Sequence, residues 1–193
     1  SAVGSGLVGG AYTLTIAAAG TDTIGSFTNS ATGGFVVGNI AIHTGAQISY
    51  GNYRLDITNY NSGNGDIVLT GPDGTQTTTS GVNLAADFTI GGIDFAAGTN
   101  NITSNGTITF QVYNNGLQVN LTGVPSGGTA ATMTALTNYT GQNLNVGGFQ
   151  FSLRTNHGAT NSTFVGNVTD NSIKFQIGAN ANQNTSLAIN DMG

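Results

Sequence analysis

Apolar and polar residues alternate along most of the chain in short runs. Tyr12, Leu14 and Ile16 alternate with Thr13 and Thr15, and Ile173, Phe175 and Ile177 alternate with Ser172, Lys174 and Gln176. A period of two places one set on each face of a strand, so these runs predict half-buried β-strands. The same pattern predicts strands over 11–16, 24–27, 48–50, 53–57, 66–70, 82–84, 149–153 and 163–168. Phe35–Ile42 reads as a strand with a bulge at Gly38. Phe88–Phe95 reads as two short strands around a Gly91-Gly92 turn. Thr107–Tyr113 and Leu117–Leu121 flank Asn114-Asn115-Gly116 and predict a hairpin. A last hairpin is expected over 172–193, with its turn over 178–183 and Leu187 and Ile189 resuming the alternation.

Turn chemistry punctuates these runs. Gly51-Asn52, Asn61–Gly65 and Gly71-Pro72-Asp73-Gly74 each carry residues that favour reversal of the chain. A Thr-rich crossing is expected over 75–80, and the one short helix that the pattern allows is Ala130–Leu136. Strands recur roughly every 8–12 residues, which argues for an all-β, antiparallel sandwich or open barrel. The expected organisation is a Gly/Ser-rich linker over 1–10, a first β lobe over 11–96, a second over 97–171 and the hairpin over 172–193. The two lobes read almost equally well as one larger sandwich.

Composition narrows the functions open to such a fold. Charged residues make up 6% of the 193 positions, against about 25% in ordinary globular chains. Eight Asp and no Glu stand against Arg54, Arg154 and Lys174, a net charge of −5. Three dispersed cations do not make a surface that tracks phosphates, so nucleic acid is not an expected partner. No run is long and apolar enough for a helix to span a bilayer, so no membrane partner is expected. Cysteine is absent, which is compatible with any compartment and also suits a chain that is exported unfolded and folds without disulfides. Ser1–Gly6 has neither the basic start nor the apolar core of a signal peptide and no initiator Met is present, so the expectation is a piece of a longer protein.

Residues for catalysis are sparse. His43 and His157 lie far apart in sequence, outside any metal-ligand spacing, and are expected to be structural or solvated. Asp66, Asp73 and Asp170 sit beside turn residues, where a carboxylate caps backbone N–H groups. Asp56 and Asp94 alternate with apolar neighbours and are expected to face solvent or pair with Arg54 or Arg154. No Gly-rich run has a phosphate-loop pattern, and no calcium loop with a closing Glu occurs. The expectation is therefore no enzyme, no cofactor and no bound metal. Tyr60 and Tyr139, in polar surroundings, are the candidates for a surface contact with a sugar or another protein.

Near the end, Phe175-Gln176-Ile177-Gly178-Ala179-Asn180 is followed by Gln183, a short alternating strand and Asp191-Met192. This stretch resembles a short hairpin in the stalk domain of bacterial flagellins. Phe88-Thr89-Ile90-Gly91-Gly92 is similar to a pattern from the outer parts of the same family, with Gly91 where an Asn recurs. The resemblance implies the outer, variable part of a flagellar filament subunit, without the terminal helices that pack the filament. It further implies an extracellular, motility-related structural role and other flagellin subunits as partners. Sugars would sit on Ser or Thr hydroxyls. The alternative is a surface-binding module that recognises glycan, a host surface or a neighbouring filament.

Overall fold

The computed structural model describes residues 7–98, 102–169, 173–176 and 184–187. Its first strands are β1 (Gly10–Ala18), β2 (Thr21–Asn29), β3 (Ile40–Ile42), β4 (Gly51–Asn61), β5 (Asn64–Thr70) and β6 (Gln76–Asn83). They are followed by β7 (Phe88–Ile90), β8 (Ile93–Phe95), β9 (Gly106–Asn115), β10 (Gln118–Gly123) and β11 (Ala131–Thr132). The last are β12 (Leu144–Val146), β13 (Phe149–Phe151), β14 (Thr163–Val168), β15 (Ile173–Gln176) and β16 (Asn184–Leu187). The fold is all-β, and its paired strands run antiparallel, as the alternation predicts.

The central layer is a five-stranded sheet in the order β2-β9-β4-β5-β6. Alternation decides its inner face: Tyr53, Leu55 and Ile57 of β4 are buried, while Arg54 and Asp56 point outward. Register then stacks like on like, with Leu55 opposite Leu69 on one side and Ile108 on the other. A three-stranded sheet, β3-β8-β7, covers this face with Ile40, Ile90, Ile93 and Phe95. Gly91-Gly92 closes its β7–β8 hairpin, as expected. Phe95 lies edge-on to Phe110 at 5.9 Å between ring centroids and stacks on Phe88 at 5.0 Å.

A smaller region lies beyond. Its four-stranded sheet has the order β11-β10-β1-β14, and the β12–β13 hairpin packs on it. Its core is small: Tyr12, Leu121, Val146 and Phe149, with Tyr12 and Phe149 at 5.0 Å. Leu7 and Val8 pack here too, and Tyr12 Oη donates to Val8 O. Residues 7–10 of the expected linker are therefore part of the body, because Leu7 and Val8 have an apolar surface to cover.

The expected hairpin across Asn114-Asn115-Gly116 does not form. β9 pairs with β2 and β4, whereas β10 pairs with β1 and β11. The chain turns a corner between sheets instead, and so does the facing pair β1 and β2. The result is one long bent ribbon, with Ala18 opposite Gln118 before the corner and Thr21 opposite Asn115 after it. Gly20 makes the corner (φ +66°), where a β-carbon would run into the Asn114 side chain. Because the ribbon joins residues 10–29 to 106–123, no division near 96–106 separates two lobes.

Other expectations are corrected for local reasons. Gly51-Asn52 is no turn but the start of β4. Gly51 has φ +132°, and Pro72 packs where its side chain would stand, so the glycine serves close approach. The strand over 35–42 is broken at Val37–Asn39 by a 3-10 turn. There the Asn39 side chain accepts from Val36 N and Asn39 N donates to Val36 O. The crossing over 75–80 falls in the exposed edge strand β6. Ala130–Leu136 holds no helix: Ala131-Thr132 pairs with β10, and Leu136 N donates to Leu117 O. Edge pairing there outweighs a weak helix propensity.

β15 and β16 pair as expected of the last hairpin, Ile173 opposite Leu187 and Phe175 opposite Thr185. Ile177, Gly178, Ala179, Asn180, Gln183, Ile189, Asp191 and Met192, with Asp170, lie outside the described residues.

Candidate functional site

β2 is an edge of the five-stranded sheet, and β3 is an edge of the sheet that covers it. Between them lies an open cleft of about 610 Å³. Asp22 and Ile24 line one wall, Ile40 and Ile42 the other, with His43 and Asn156 at the margin. Val37 lines it at 38% exposed and follows Val36, 53% exposed, both among the most exposed large apolar residues described.

The registers determine which backbone groups face this space. Ala96 N donates to Asn39 O and His43 N to Gly92 O, so β3 bonds to β8 through Asn39, Ala41 and His43. Bonding alternates along an antiparallel ladder, so Ile40 and Ile42 turn their N–H and C=O groups the other way. The Ile40 N–H is taken by Val37 O. On the opposite wall, Asn114 exchanges both backbone bonds with Tyr139, at 2.9 and 2.8 Å. It is therefore Tyr113 and Asn115 that bond to β2, at Thr23 and Thr21. The backbone groups of Asp22 and Ile24 are left on the free edge.

The inner end of the cleft is polar and closely tied. Asp22 Oδ1 accepts from Tyr50 Oη at 2.6 Å and from Asn114 Nδ2 at 2.7 Å. Asn114 Nδ2 also donates to Ala19 O at 3.1 Å, which pins the ribbon corner. Burial pushes the Tyr50 phenol up, and its hydrogen bond to Asp22 and that carboxylate's charge add to the effect. Tyr50 is thus held as a neutral donor. Asn114 Oδ1 and His157 Nδ1 are buried without a hydrogen-bond partner among the described residues. The two ion pairs among the described residues are His43–Asp94 and Arg54–Asp56, so Asp22 has no ion-pair partner among them.

Other carboxylates act on backbone and hydroxyls. Asp73 accepts from Thr75 N and Asp66 from Gly81 N, each as a turn-side carboxylate is expected to. Asp56 pairs with Arg54 at 2.8 Å. Asp94 bonds His43 Nδ1 at 2.9 Å; the Thr89 hydroxyl, and after it His43, holds its carboxyl below the usual range. No three His, Cys, Asp or Glu gather as a metal would require among the described residues.

Tyr139 is not a surface contact residue. It is fully buried, its ring edge-on to Tyr50 at 5.1 Å, and its Oη accepts from Leu153 N. The polar neighbours Asn138 and Thr140 say nothing about which way the ring between them points. Tyr60 is half-buried against the main core, with its N–H bonded to Asn105 Oδ1. The two tyrosines do not form a common platform. Asp22 was the residue missed. Its signal was its place two residues before Ile24, a carboxylate on the face that a strand buries. No family model, curated protein or solved structure matches the chain.

Proposed function

We propose that this chain is the outward-projecting, structural part of a bacterial flagellar filament subunit, extracellular and without catalytic activity. The observation that carries the reading is the terminal hairpin, whose residues resemble the flagellin stalk and whose strands pair Ile173 with Leu187. Further support comes from the pairing of Gly10 with Val168, which brings the two ends of the β body together. A lobe that projects from a longer chain needs its ends side by side. The partners are other flagellin subunits, and sugars attach at exposed Ser and Thr. Antibodies raised against residues 7–169 should decorate flagella along their length in immunogold micrographs of the producing cells. Label confined to the cell body or the medium overturns the reading.

A second reading, a surface-binding module for glycan or a host surface, is favoured by the open β2–β3 cleft with its uncompensated carboxylate. A glycan array read with the intact chain and with Asp22→Asn tests it. Glycan signal lost in the variant supports a binding role for the cleft.

A further inference from the structure

We infer that the β2–β3 cleft takes an extended peptide strand that carries a basic residue. This deepens the binding-module reading, rests on the cleft alone, and is independent of the filament proposal. Three observations converge on that class of partner.

The first is the backbone. The free edges of β2 and β3 both face the cleft, with the outward groups of Asp22, Ile24 and Ile42 among them. Unpaired ladder groups on an edge are satisfied by one more strand, and a peptide added this way gains main-chain hydrogen bonds whatever its sequence. β2 carries one inward charge, Asp22, and a register shift between Gly25 and Thr28, which leave Asp22–Ile24 as its regular free stretch; β3 is short. β3 has no charged residue and no proline, and it is flanked by the exposed Val36 and Val37.

The second is the side-chain pattern. Ile24, Ile40 and Ile42 present apolar surface to the cleft. An added strand shows every second residue to that surface, so alternate apolar residues are what fit. The volume, about 610 Å³, lies within the ordinary range of binding clefts.

The third is charge, and it sets the sign of the partner. Asp22 shares the inward face of β2 with Ile24, and its Oδ1 takes two neutral donors, Tyr50 and Asn114. Asp22 is in no ion pair among the described residues, His43 across the cleft being paired with Asp94, and the chain carries a net charge of −5. An inward-pointing Lys or Arg two or four residues from an apolar one would supply the missing charge-assisted hydrogen bond. An acidic peptide would meet repulsion at the same place.

The test is a titration of the intact, isotope-labelled chain with the peptide Ac-Thr-Lys-Thr-Val-Thr-Val-Thr-NH2, read by amide NMR shifts. The proposal expects saturable shifts at 22–24 and 40–43. Replacing the lysine of the peptide by glutamate should abolish them. Asp22→Asn keeps an oxygen for Tyr50 and Asn114 and removes the charge, and should weaken binding on the order of tenfold. Ile42→Pro removes an outward N–H without touching the ladder to β8, and should also weaken it. Should the proline variant unfold, the Asp22 variant and the acidic peptide still decide the matter. Shifts confined to the β6 or β14 edges overturn the inference, as do equal binding by Asp22→Asn and the absence of shifts at about 1 mM peptide. A glycan that perturbs the same amides while the peptide does not would overturn it and leave the binding-module reading standing.

Discussion

The two cores of this protein are built alike and held very differently. The main core lies between two sheets and closes around Leu55, Ile93, Phe95, Ile108 and Val112, each without exposed surface. The smaller core rests on Tyr12, Leu121, Val146 and Phe149, roofed by a hairpin of three-residue strands. Its outer strand β14 leaves Phe164 and Val165 exposed, at 41% and 71%. Burial stabilises in proportion to the apolar area removed from water. The first region should therefore set the global stability, and the second should open at lower cost. The bent ribbon β1–β2 and β9–β10 couples them, and Leu14, Met133 and Phe151 pack against both.

The largest effect should come from the main core. Phe95→Ala removes a ring packed on Phe35, Phe88 and Phe110 and should cost about 3–5 kcal/mol in urea unfolding. Phe149→Ala, at the rim of the small core, should cost clearly less. Its mark should be faster hydrogen exchange in β1, β10 and β14 with β4 and β9 unchanged. Equal losses of global stability for the two variants would show one cooperative unit and end the comparison.

The coupling itself is tested next. Asn114→Ala removes the donor to Asp22 and Ala19 at the ribbon corner and should cost about 1–3 kcal/mol. Exchange should then rise on both sides of the corner together. A rise confined to one side would mean that the corner does not transmit stability.

The smallest effects come from titration, and their signs differ at the two ends of the pH scale. Burial raises the phenols of Tyr50 and Tyr139 above the usual 10.0, and that of Tyr53 up to about 12. Their contribution is full below pH 10 and falls as pH rises above it, where only the unfolded chain loses the proton. Tyrosinate absorbance should therefore lag for these three until the main core opens. Asp66 and Asp73 are held below the usual 3.8, chiefly by the Asn59 side chain and by Thr75 N respectively. Their contribution is full above that value and is lost as pH falls through their lowered folded values. Both are fully exposed, so the loss should be small; carboxyl NMR titrations with Asp66→Asn and Asp73→Asn as references would measure it.

Much of the architecture was legible because a period of two is a local property. β4, β5 and β9 announce their buried faces residue by residue. Partner choice is not local. Asn114-Asn115-Gly116 has the composition of a hairpin turn, yet a corner between sheets needs the same permissive residues. Gly51 was read as a turn because sequence shows that a side chain is absent and not that Pro72 occupies its place. The cleft was less legible still, since its walls come from 22–24 and 37–46 and meet only through strand order. Tyr139 failed for a related reason: polar neighbours in sequence are not neighbours in space.

The pairing of β1 with β14 has a mechanical consequence. Gly10 and Val168 are opposite partners at one end of that ladder, with Thr15 and Thr163 at the other. Tension that separates the two ends of the β body meets the ladder one rung at a time, like a zip, and never loads all its hydrogen bonds in parallel. Such tension would peel β14 first, beginning at Val168, and the five-stranded sheet would still be intact when the peeling reached Thr163. The outer strand is thus a fastening that yields at low force and can close again when the tension is released.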